Sequence, residues 1–83
     1  MPERLIPLAR HRIGSGELPA VMADKTFGGF SVGETCALCL QPIDARDPEI
    51  EVVHREAAQV HLMHPACFAA WSTVVRELAT DSV

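Results

Sequence analysis

The sequence predicts a small α+β domain stabilised by a metal ion, and three observations predict it. Cysteine and histidine stand as Cys36-Ala-Leu-Cys39 and His64-Pro-Ala-Cys67, three thiols and one imidazole, which is the donor set of a closed tetrahedral zinc site. Between the two pairs, Glu49–His54 and Gln59–Met63 alternate as the strands of a hairpin. After them, Phe68, Trp71, Val74, Val75 and Leu78 recur at helical spacing. The chain of 83 residues is expected to form one domain: an N-terminal helix within 1–16, an irregular glycine-containing linker over 17–33, and a metal-binding module over 34–79.

The elements follow in chain order. Residues 3–13 read as a short amphipathic helix, with Leu5, Leu8, Ala9 and Ile13 on one face. Pro7 is tolerated only in a first turn, which places the start near Ile6, and Gly14 and Gly16 end the helix. Residues 17–35 show no period; Leu18-Pro19, Thr26-Phe27-Gly28-Gly29-Phe30 and Gly33 suggest an extended linker with turns. The two phenylalanines there have two readings, as plugs of a small core, which is the favoured one, or as an exposed apolar patch for a partner or a second copy.

The first cysteine pair sits in a knuckle turn that Gln41–Pro48 closes, and Arg55–Ala58 makes the turn of the hairpin. Pro65 directly after His64 suits the first position of a helix, because its missing N–H would have no partner there. A helix over 65–79 then puts His64 at its cap and Cys67 on its first turn, where the helix dipole favours a thiolate. Glu77 and Asp81 oppose the dipole at the far end, which predicts a frayed last turn.

All three cysteines fall in the one constellation. An odd number argues against a complete disulfide framework, and the first residues hold no apolar run long enough for an export signal. A reducing, cytoplasmic setting is therefore expected, in which such a pattern serves metal or redox work. A redox Cys36/Cys39 pair would need a βαβ context, which the pattern does not offer. The predicted ligands of one structural Zn2+ are Cys36, Cys39, His64 and Cys67. Such a set also accepts iron. His61 is the alternative to His64 as ligand, but the spacing of His64 to Cys67 mirrors that of the first pair. His11 and His54 read as surface residues.

Size and charge bound the function. A chain this short buries only about 60% of its unfolded surface and needs a staple, so the metal is expected to contribute to folding itself. The net charge is −4, and no run approaches the ~20 apolar residues of a membrane span. Arg4, Arg10, Arg12 and Lys25 leave the first thirty residues slightly basic, whereas the rest is acidic. Nucleic-acid binders usually carry a basic stripe along their binding face.

Knuckle, hairpin and helix, with ligands at the knuckle and first helical turn, resemble a treble-clef zinc finger over residues 34–78. The run His64-Pro65-Ala66-Cys67-Phe68 looks like the His-Pro-x-Cys-Phe of LIM domains and of poly(ADP-ribose) polymerase-type fingers. LIM domains add a second zinc site directly afterwards, and no cysteine follows Cys67 here. The polymerase-type fingers grip broken DNA through basic residues that this chain lacks. Gly16-Glu17-Leu18-Pro19, Thr26-Phe27-Gly28-Gly29, the four ligands and Trp71 also look like a family of small bacterial proteins, a likeness that implies no activity. Treble-clef knuckles often carry glycine after the second cysteine; Leu40 stands there.

Four protein ligands fill a zinc shell and leave no open position for catalysis. Glu49, Glu51 and Glu56 read as solvent-face carboxylates; a treble-clef nuclease would need a catalytic histidine at the hairpin, where His61 is the only candidate, and nothing around it supports phosphate chemistry. The chain is expected not to be an enzyme. The leading expectation is a zinc-stabilised protein-interaction module contacting a partner, or itself, through the Phe27/Phe30 loop and the N-terminal helix. The alternative is a nucleic-acid-binding finger acting through Arg4, Arg10, Arg12 and Lys25.

Overall fold

A computed structural model describes residues 4–81, without the side chain of Asp81. Helix α1 runs Leu5–Gly14, and the expected start at residue 3 lies outside the described residues. Pro7 falls within the first turn, where no intrahelical N–H is needed. Leu5 and Ala9 are buried, and Ile6, Leu8 and Ile13 pack beside them. The helix closes through Ser15 N–H to His11 O at 2.9 Å and Gly16 N–H to Ile13 O at 3.1 Å. Gly16 sits at φ +83°, a conformation that costs glycine little and other residues more.

The segment expected to be a linker contains a strand. Strand β1, Lys25–Phe30, pairs antiparallel with β2, Pro48–His54, which pairs antiparallel with β3, Gln59–Met63. The sheet is three-stranded in the order β1-β2-β3, with Phe27 opposite Glu51 and Gly29 opposite Glu49. β1 carries no hydrophobic alternation because all six of its residues are exposed. It is held by backbone pairing, which leaves no trace in residue type. Phe27 and Phe30 are 51% and 75% exposed, so they do not plug the core.

Helix α2, Pro65–Asp81, covers the sheet face that carries Val52, His54 and Met63. It continues through the end expected to fray. Glu77 is offset there by an ion pair with Arg10 at 2.7 Å, which also ties α2 to α1. The core lies between that face and α2, with Trp71, Val74, Val75, Ala70 and Leu38 fully or nearly fully buried. α1 lies against α2, and Leu18 closes the end. Trp71 donates its indole N–H to Pro19 O at 2.9 Å, so the segment after α1 is pinned over the core. Among the described residues no helix is long and apolar enough to cross a membrane.

Candidate metal centre

Two local structures deliver the sequence-predicted ligands. The first is the turn around Cys36 and Cys39. Cys36 N–H donates to Gln41 O at 3.0 Å, Leu40 N–H donates back to Cys36 O at 3.0 Å, and a bridge between Thr35 and Pro42 shuts the loop. Ala37 N–H donates to Leu62 O at 2.8 Å, fastening this knuckle to β3. Leu40 takes φ +63°, so the turn keeps the left-handed residue that glycine usually supplies. The second is the start of α2. His64 follows the last residue of β3, and its carbonyl accepts from Phe68 N–H at 2.9 Å, so it caps the helix while Cys67 lies on the first turn.

The sulfur atoms of Cys36, Cys39 and Cys67 and a ring nitrogen of His64 all lie within 4.8 Å of one another. His64 Nδ1 is 3.4 Å from Cys39 Sγ and 3.8 Å from Cys67 Sγ. Around a tetrahedral zinc with Zn–S of about 2.3 Å and Zn–N of about 2.0–2.1 Å, neighbouring S and N atoms stand about 3.6 Å apart. The two observed distances bracket that value. No disulfide forms among the three cysteines. Cys36 and Cys67 are buried, and Cys39 and His64 are half-buried.

The electrostatics suit a cation. Burial pushes the Cys36 thiol up, but backbone N–H groups of Cys39, His64 and Leu38 aim at it, and with the His64 ring they bring it down to about 7. Cys67 moves the other way: burial raises it, and the negative charge of Cys36 and Cys39 raises it further. Three thiolates cannot share so small a volume unless a positive ion sits among them. The residues present therefore fit a divalent metal, and they form a set that could hold a single ion.

The remaining sequence candidates are placed elsewhere. His61 is half-buried and outside the cluster; burial, and then the charge of His54, lowers its pKa. His11 is exposed as expected, but His54 is not a surface residue. Its ring stands edge-on to Trp71 at 5.7 Å, and its Nε2 lies 2.8 Å from Val21 O. The 20–23 segment folds over the end of β2 and covers it. Glu49 and Glu51 are half-buried and Glu56 is exposed, and none of the three joins the cluster.

Arg12 has a role that the sequence reading missed. Its guanidinium donates to Leu38 O inside the knuckle at 2.9 Å and to Glu17 at 2.7 Å. Arg10 is paired with Glu77. Two of the four cations proposed for a phosphate-binding face are thus engaged within the chain. Nothing in the spacing of α1 marks Arg12 for this contact, which depends on how the helix docks. Compared with known proteins, the chain matches no family model, no curated protein and no solved structure.

Proposed function

We propose that this chain is a structural-zinc module whose work is protein–protein interaction. One Zn2+ would be held by Cys36, Cys39 and Cys67 through sulfur and by His64 through Nδ1, fixing knuckle, hairpin and helix in a treble-clef-like arrangement. The gathering of the four donor atoms within 4.8 Å carries this reading. The ion would neutralise the thiolates and staple the knuckle to the start of α2. Such a staple is what a chain of this size needs. The module is non-catalytic in this reading, because four protein donors complete the shell and, among the described residues, no carboxylate or further histidine joins them. A reducing cytoplasm would keep the thiols available.

The interaction surface would be β1, with Phe27, Phe30 and the following Val32 as its apolar contacts and α1 beside α2 as a second face. Nucleic-acid binding is disfavoured by the net charge of −4 and by the engagement of Arg10 and Arg12. Two variants separate the parts of the proposal. Cys39→Ala should lose the metal and the fold together. Replacing both Phe27 and Phe30 with serine should keep one zinc per chain and a native circular dichroism spectrum, and should abolish protein contact. A double variant that still binds its partner would refute the surface assignment. Salt-sensitive binding of an oligonucleotide by the zinc-loaded chain would favour the nucleic-acid alternative.

A further inference from the structure

We propose that β1 pairs with β1 of a second copy of this chain, antiparallel and centred on Gly28, to give a two-fold dimer with one continuous sheet. The proposal rests on the interaction-module reading and names its partner.

β1 is an edge strand. Among the described residues it pairs only with β2, and every one of its six residues is exposed. Phe27, Phe30 and Val32 are 51%, 75% and 81% exposed. Edges that stay unpaired are usually guarded by charge, proline or a bulge. The one charge on β1 is Lys25 at its first residue; no charged residue and no proline occurs from Thr26 to Gly33, and β1 pairs with β2 residue for residue.

The backbone is self-complementary. Ser31 N–H donates to Asp47 O in line with the β1–β2 register, which sets Lys25, Phe27 and Gly29 as the residues bonded inward to β2. Thr26, Gly28 and Phe30 therefore direct their N–H and C=O groups outward. A two-fold axis normal to the sheet pairs residues that share a face, so their positions differ by an even number. Centring the axis on Gly28 sets Thr26 opposite Phe30 of the second copy and Gly28 opposite Gly28. Every outward group of these three residues then has a partner, in about six hydrogen bonds.

The side chains agree with that register. Phe27 falls opposite Gly29 of the second copy, and each Phe30 flanks the central Gly28 pair. A Cβ at Gly28 or Gly29 would meet nothing within 4 Å, so no side chain of the same chain covers them. An aromatic ring laid across a strand glycine is a favourable cross-strand arrangement. Lys25 comes onto the row of Ser31 and Asp47 of the second copy, roughly 9.6 Å from that acid at two strand spacings. This places opposite charges on one row of the joined sheet. A pairing confined to one six-residue strand is small beside the ~800 Å² per partner of a standard stable interface, so the dimer is expected to be weak and to dissociate on dilution.

The test is sedimentation equilibrium over a wide concentration range on the full zinc-loaded chain, with metal content and amide hydrogen exchange read on the same samples. A reversible monomer–dimer equilibrium is expected. Amides of Thr26, Gly28 and Phe30 should gain protection as concentration rises, while those of Phe27 and Gly29 are protected throughout. Gly28→Pro removes an outward donor at an edge position that tolerates proline, and Phe30→Lys adds a charge beside the central Gly28 pair. Each should weaken dimerisation by roughly tenfold or more and retain one zinc per chain. A zinc-loaded wild type that stays monomeric throughout overturns the pairing and leaves the metal reading standing. A dimer that neither variant weakens also overturns it. Dimerisation through these amides in a chain that holds no zinc supports the pairing and overturns the metal-based reading beneath it.

Discussion

Arg12 donates its Nε–H to the carbonyl of Leu38 at 2.9 Å, joining the first helix to the turn between the first two cysteines. The Arg12 side chain is only 14% exposed, so this bond is shielded from water. Arg12→Met keeps the apolar stem and leaves the Leu38 carbonyl without its donor. The expected cost is about 1–3 kcal/mol, read as a lower urea midpoint for the zinc-loaded protein. An unchanged midpoint would mean that α1 is docked by apolar contacts alone.

Leu40 is the residue where the knuckle carries strain. Its φ of +63° lies in the left-handed region, which costs a non-glycine residue about 1–2 kcal/mol. Its side chain is exposed, so little packing offsets that cost. Leu40→Gly is expected to stabilise the protein by about 0.5–1 kcal/mol, after the extra entropy that glycine loses on folding. Thermal unfolding of the zinc-loaded variant should show a higher Tm. A lower Tm would show that the Leu40 side chain holds the turn.

His61 predicts a pH dependence whose sign is fixed. Burial, and then the charge of His54, lowers its pKa in the folded chain below the ordinary 6.5. The unfolded chain therefore takes up a proton first as pH falls. The contribution of His61 to stability is complete above about pH 6.5 and declines as pH drops toward the folded-state value. Denaturant titrations at falling pH should show this loss, and His61→Asn should reduce its slope while leaving the pH of metal release unchanged. If the slope is the same in the variant, another group is responsible.

Metal uptake should release protons. Backbone N–H groups and the His64 ring bring Cys36 down to about 7, while Cys67, raised by burial and by its neighbours, keeps its proton at that pH. Zinc binding near pH 7 must then expel at least one proton, and affinity must rise with pH. Calorimetry in buffers of different ionisation enthalpy measures the number. Zero protons released would be incompatible with thiolate ligation by Cys67.

What the sequence made legible was whatever is local or periodic. The two x2 spacings place their ligands through single turns, and these four donors meet in space. β2 and α2 each bury one face, so their periods could be read, whereas β3 buries only Met63 fully and was legible through its pairing as the return of a hairpin. β1 has no buried residue and hence no period; its pairing with β2 across the knuckle makes it a strand. His54 shows a signal passed over: it stands two residues after buried Val52, on the face that α2 covers. The cover from Val21 could not be read, because the segment that carries it has no pattern of its own. Arg12 was legible as a cation but not as a ligand of the knuckle, since that contact depends on the docking of α1 against α2.

The central claim is that one ion bound by Cys36, Cys39, His64 and Cys67 holds this chain folded. Metal analysis of the purified protein, with circular dichroism before and after a strong chelator, tests it most directly. The account predicts one zinc per chain and loss of the helical signal when the metal is removed. A chain that holds no metal, or one that keeps its spectrum unchanged after the metal is stripped, would contradict it.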